Sequence, residues 1–395
     1  MKNKMNIAKI APVLFGFFVM GFCDVVGITA SHVKEDLLGT FNPEFRDTLS
    51  NLIPVALFSM FLLFSIPTGI IMNRLGRKNT VIISNIITIV AMLIPLIEYS
   101  FAMTLIAFVL LGIANTIIQV ALNPLLTNVV AGNRLTSSLT AGQFIKAISS
   151  FSAPFIAAFA ANQLNNWQYI FPIYAVITVL STMWLMFTQI QESEIYSKAN
   201  SFADIIYLLK NKVILLLFLG IVFVVGVDVG MNTTAPKLLM DRAGLNSIDA
   251  GYGTSVYFAL RTLGTFLGAF FLAKYSSIRF YKINVLMAIT ALIILIFTND
   301  RYILFGLYGI IGFTIANIFP IIFGIAIQIK PDKVNEISGL MITGVVGGAI
   351  IPFFMGMLTD IMKSQTGAVV VILISTIYLF YAALFISNKI KPLLS

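Results

Sequence analysis

Charge is what this chain has least of. Asp, Glu, Lys and Arg together make up 10% of its 395 residues, whereas soluble domains carry about 25%. Cysteine is nearly absent: with Cys23 alone, no intrachain disulfide can form, and the redox compartment leaves no mark. The sequence has no Walker A pattern, no cysteine cluster, no HExxH and no GxSxG, so hydrolytic catalysis and ATP-driven pumping have no visible machinery. It has no A-x-A-like exit after its first apolar run either, so that run reads as a spanning segment and not as a cleaved leader.

What is present is apolar. Hydrophobic residues make up 59% and mean hydropathy is +0.97, more apolar surface than a water-soluble fold can bury, so the solvent must be lipid. A span needs about 20 apolar residues. Twelve such runs are read at roughly 9–31, 49–73, 79–98, 101–130, 137–162, 167–190, 213–236, 250–274, 280–298, 301–329, 336–362 and 366–387. With the N-terminus inside, seventeen of the 25 Lys and Arg fall on the cytoplasmic side and six outside, which predicts both termini in the cytoplasm. The net charge of +9 therefore belongs to loops on one side of a membrane, and no nucleic-acid partner is expected.

The longest interior connection, 191–212, divides the chain into six-span bundles at 1–190 and 213–395. It holds a short helical stretch capped by Ser201, with Phe202, Ile205, Ile206 and Leu209 on one face, expected to lie on the membrane surface. The two halves match weakly at offsets of 196 to 204 residues. Asp24 answers Asp228, Pro154 answers Pro352, Gly112 answers Gly312 and Pro124 answers Pro320, all near half the chain length. Parallel repeats of this kind predict transport by alternating access, with substrate at the repeat interface.

Four ionisable residues fall inside the apolar runs: Asp24, Lys146, Asp228 and Arg261. Each costs about 2.5–3.5 kcal/mol at a helix centre on insertion scales, and such groups mark ion or substrate pathways. Asp24 is read as a proton or cation site, with a structural partnership to Lys146 as the alternative. Lys146 is either a switch released by the coupling ion or half of a permanent pair. Asp228 is either a second ion-coupling carboxylate or a salt-bridge partner of Arg261, whose planar fork also suits sugar hydroxyls. Asn115, Gln119 and Asn123 recur every four residues on one face of span 4, and Gln143, Asn232 and Asn317 add amides elsewhere. Amides both donate and accept, which suits a neutral polyol; interhelical bonding is their plainer role. His32 is expected in a solvated loop, and Trp167 and Trp184 are read as span-end and packing aromatics.

The loop after span 2 reads Gly69-Ile-Ile-Met-Asn73-Arg74-Leu-Gly76-Arg77-Lys78. It resembles the conformational latch of the major facilitator superfamily, with Asn73 where that motif has Asp. Ser338–Gly356 in span 11, Asn317-Ile-Phe-Pro320 in span 10, Arg261-Thr-Leu-Gly264-Thr265 in span 8 and Gln119-Val-Ala-Leu-Asn123-Pro124 in span 4 resemble the fucose:proton symporter family. That resemblance implies an all-α membrane fold of two six-helix bundles, a monosaccharide substrate and proton coupling. Two departures bear on coupling. The family's span 4 carboxylate is Gln119 here, and its span 1 carboxylate falls near Gly27 and Ile28, a few residues past Asp24.

The resulting expectation is a monomeric carrier in a bacterial inner membrane, without catalytic residues or cofactors. It imports a neutral monosaccharide with H⁺ or Na⁺, and a Na⁺ site near Asp24 is the alternative to a proton. A uniporter and a drug or metabolite exporter of the same fold are the rival readings.

Overall fold

The computed structural model describes residues 7–38, 49, 52–130, 134–192, 202–245 and 247–389. Among the described residues there is no strand. Twelve helices among the described residues are long and apolar enough to cross a membrane: Ile7–Ala30, Leu52–Leu75, Arg77–Ile97, Phe101–Thr127, Leu135–Gln163, Trp167–Phe187, Lys212–Ala243, Asp249–Lys274, Ser277–Phe297, Arg301–Ile329, Pro331–Met362 and Thr366–Ser387. They are spans 1 to 12 below; most bounds lie within three residues of those read from hydropathy, while span 7 runs on to Ala243 and span 11 begins at Pro331.

The helices fall into two compact units. Unit 1 comprises 1–131, 142–205 and 332–343; unit 2 comprises 132–141, 206–331 and 344–395. Each unit is six spans with one exchange: the first part of span 5 packs with unit 2, and the first part of span 11 with unit 1. Span 11 changes unit where its helix passes through a 3₁₀ turn at Gly344–Val346.

The internal repeat is written into the helix ends. Spans 3 and 9 cover Arg77–Ile97 and Ser277–Phe297, the same register shifted by 200 residues. Span 4 is capped by Ser100, whose side chain accepts from Met103 N at 3.3 Å, and span 10 by Asp300, which accepts from Tyr302 N at 2.9 Å and Ile303 N at 3.0 Å. Both are residue types that satisfy the first free amides of a helix. The packing repeats as well. Inside unit 1 a Cβ on Gly112 would run into the backbone of Leu57, and inside unit 2 a Cβ on Gly312 would run into the backbone of Tyr257. Only glycine allows helices this close.

Two expectations are corrected. The first helix continues to Asp36, so His32 is on a helix and not in a loop. Its ring stacks on Trp167 at 4.2 Å, and Trp167 Nε1 donates to Asp36 at 3.0 Å, as Tyr99 OH does at 3.1 Å. Burial, and then the Asp36 carboxylate, pushes the Tyr99 phenol well above its usual value. In the linker, Ser201 lies outside the described residues. The helix Phe202–Tyr207 buries Ile205, and the following turn buries Leu208, leaving Phe202 and Ile206 exposed. The chain tightens to a 3₁₀ turn at Leu208–Lys210, so the inward face repeats every three residues and not in the four-residue steps of an α-helix.

Candidate functional site

In unit 1, span 1 tightens into a 3₁₀ turn at Gly21–Val25 that carries Asp24. A Cβ on Gly21 would strike the carbonyl of Lys146 and the side chain of Ser149, so glycine there lets span 5 lie against the turn. That approach delivers the Ser150 hydroxyl to Asp24 Oδ2, while Ser150 Oγ also donates to Lys146 O at 3.0 Å. The Cys23 thiol lies 3.4 Å from Asp24 Oδ1. Asp24 is exposed, and at this depth an exposed carboxylate is stable only where it meets water. No ion pair joins it to Lys146 among the described residues, although the Lys146 carbonyl lies against the same turn, beside Gly21. Asp24 is therefore held by neutral groups, with a lysine in the neighbourhood.

Span 4 supplies a chain of amides to the same turn. Asn115 Nδ2 donates to Met20 O at 2.8 Å, Gln119 Nε2 to Asn115 Oδ1 at 2.8 Å, and Asn123 Nδ2 to Gln119 O at 2.7 Å. The one-face spacing read from the sequence thus becomes a hydrogen-bonded ladder, buried along its length, whose end satisfies a carbonyl beside the 3₁₀ turn. Gln143 is half-buried on span 5, just inside the boundary of unit 1.

The latch loop of unit 1 is joined by three residues that sequence reasoning missed: Asn335, Glu336 and Glu192. Asn73 Nδ2 donates to Glu336 Oε1 at 2.9 Å and Asn73 Oδ1 accepts from Asn335 Nδ2 at 2.7 Å. This explains the departure from the superfamily motif. An aspartate at position 73 would set a carboxylate against Glu336, whereas the amide can donate to it. Arg77 donates through Nε to Asn335 Oδ1 at 2.8 Å, and through one terminal nitrogen to Thr127, Asn128 and Pro124 O. The Glu192 carboxylate caps span 3 by accepting from Arg77 N at 2.6 Å and Lys78 N at 2.7 Å, where a helix N-terminus favours negative charge. Gly69 packs against Asn335 and Gly339, and Gly76 turns the loop at φ 79°. Arg74 is exposed and holds no bond among the described residues.

In unit 2, Asp228 on span 7 meets span 8. Its Oδ1 accepts from Tyr257 OH at 2.6 Å and lies 2.8 Å from Arg261 Nε. The Asp228 and Arg261 side chains are 24% and 32% exposed, whereas Tyr257 is fully buried. Arg261 also lies over the Phe258 ring at 5.9 Å. Asn232, one turn beyond Asp228, is half-buried, and its backbone carbonyl accepts from Thr254. Asn317 is buried at the break between the two helices of span 10 and donates to Gly264 O at 2.9 Å, so its donor joins span 10 to span 8.

Two repeated six-helix halves that carry carboxylates, guanidinium and amides into their spans define a multi-pass membrane transporter and not an enzyme. The chain belongs to the Major Facilitator Superfamily, whose family model matches residues 13–352. A glucose/galactose transporter of Brucella abortus biovar 1 (strain 9-941) is 24% identical over 365 residues, covering 87% of this chain and 86% of that protein. A putative glucose/galactose transporter of Helicobacter pylori (strain ATCC 700392 / 26695) is 23% identical over 92% of each. Among solved structures, the E. coli fucose:proton symporter superposes with a TM-score of 0.83 at 15% identity, over 97% of this chain and 99% of that one, which establishes the shared fold.

Proposed function

We propose that this protein imports a neutral monosaccharide by cation symport across a bacterial inner membrane. Full-length similarity to transporters named for glucose and galactose supports the substrate class. The observation that carries the coupling is Asp24: an exposed carboxylate inside a span, held by a serine hydroxyl and a thiol without a paired cation. Such a group can take up H⁺ or Na⁺ and release it again, and Lys146 would compete with that ion. Asp228 shares its charge with Arg261 and is the less responsive of the two carboxylates. We assign sugar contacts to Gln119 and Gln143 in unit 1 and to Asn232 and Arg261 in unit 2. Asn115, Asn123 and Asn317 support the helices that carry them. The latch of Gly69, Asn73, Arg74, Gly76 and Arg77 holds one state of the alternating-access cycle.

The test is uptake of a panel of labelled monosaccharides into proteoliposomes under an imposed pH gradient or an imposed Na⁺ gradient. Accumulation of one sugar under one gradient is expected. Equilibration without accumulation under either gradient would make the protein a uniporter.

A further inference from the structure

We infer that Tyr257 is a positioning residue of the transport machinery in unit 2, fixing Asp228 so that Arg261 meets the sugar in one orientation; this rests on the sugar-transport reading above. Each half carries a carboxylate in its first span, Asp24 and Asp228, yet holds it differently, and the difference traces to two residues of one helix. Leu57 and Tyr257 are equivalent, because each offers its backbone to the matching glycine, Gly112 or Gly312. Counting one turn further, Phe61 is then the counterpart of Arg261. In span 2 both positions are apolar and buried, so neither can hold Asp24. In span 8 they are a phenol and a guanidinium that converge on the same oxygen, Asp228 Oδ1, at 2.6 and 2.8 Å.

Residues four apart share a helix face, so span 8 grips the span 7 carboxylate with two successive turns. The burial is graded. Tyr257 lies wholly inside and the ion pair is partly exposed. A single arginine–carboxylate contact leaves a long side chain several geometries, and the phenol behind it removes that freedom. Arg261 has five N–H donors in a rigid fork, and its Nε lies 2.8 Å from Asp228 Oδ1 as an ion pair. A fixed fork suits the hydroxyls of a neutral sugar better than a mobile one, because less side-chain freedom is lost on binding.

The experiment compares wild type with Tyr257→Phe, which removes one oxygen and keeps the ring against Gly312 and Phe258. Exchange of the panel sugar in proteoliposomes gives KM and kcat, and thermal unfolding of the purified protein reports on the fold. The expected result is a KM raised about tenfold, the size of losing one hydrogen bond to a charged group, with kcat and melting temperature near wild type. Tyr257→Leu, which installs the residue of the equivalent position in unit 1, should raise KM likewise. In Asp228→Asn the tyrosine has lost its charged acceptor, so adding Tyr257→Phe should raise KM little further. A wild-type KM in Tyr257→Phe, or effects of Tyr257→Phe and Asp228→Asn that simply multiply, would overturn the inference. So would failure of both Tyr257 variants to insert, which would assign the residue to the fold alone. If wild type exchanges no monosaccharide, the sugar reading falls and takes this inference with it. If wild type exchanges and Tyr257→Phe is unchanged, this inference falls alone.

Discussion

At the scale of single residues, the proposed function rests on a few polar groups whose partners differ in charge. Asp24 has a hydroxyl and a thiol; Asp228 has a phenol and a guanidinium. Asn73 is suited to Glu336 because an amide donates where a carboxylate would repel. Asn73→Asp is therefore expected to weaken the latch by about 1–3 kcal/mol, the cost of leaving a buried polar group against a like partner. A lowered melting temperature and slower sugar exchange should follow, both restored by adding Glu336→Gln; a melting curve unchanged by Asn73→Asp would show that the pair carries nothing. The four intramembrane charges were legible in the sequence because charges are rare in apolar helices. Ser150, Tyr257, Glu336 and Glu192 were not. A lone serine or tyrosine in an apolar helix looks like any other, and Glu336 and Glu192 lie at span ends where carboxylates are ordinary. Only the packing of spans remote in sequence turns them into partners.

At the scale of elements, hydropathy located all twelve spans because lipid forces every backbone group into helical bonds. It gave no sign of the 3₁₀ turns at Gly21–Val25 and Gly344–Val346, since neither stretch contains a proline and each lies within a continuous apolar run. Helix-to-helix contacts give two tests. Gly112→Ala and Gly312→Ala should each destabilise the protein by about 1–3 kcal/mol, because the added carbon meets backbone that cannot rotate away. Comparable losses at both sites are expected in thermal unfolding, and a neutral Gly112→Ala would contradict the close approach. Arg242, near the end of span 7, donates to Leu295 O at 2.6 Å, Thr298 O at 3.2 Å and Thr366 Oγ1 at 2.7 Å, tying down the end of span 9 and the start of span 12. Arg242→Ala strands those acceptors and should cost about 1–3 kcal/mol, read as a lower melting temperature with sugar KM kept; a raised KM at full stability would give Arg242 a role in binding instead.

At the scale of the whole molecule, the repeat was visible as four isolated matches, and the structure extends it to helix registers, caps and glycine contacts shifted by 200 residues. The exchange of helix segments was invisible, because nothing in the local sequence of 132–141 or 332–343 says which six-span half it packs with. The halves have diverged where chemistry is needed. Positions 57 and 61 are apolar while 257 and 261 are polar, so a duplicated scaffold carries one carboxylate that is clamped and one that is not. In the function proposed above, the unclamped carboxylate, Asp24, is the one that loads the coupling ion.

The measurement that bears most directly on this account is accumulation of the transported sugar in proteoliposomes, wild type against Asp24→Asn, under the gradient that drives the wild type. Wild type should concentrate sugar inside, and Asp24→Asn should lose that accumulation while still exchanging labelled for unlabelled sugar. Undiminished accumulation by Asp24→Asn would contradict the account, because it would remove Asp24 from coupling.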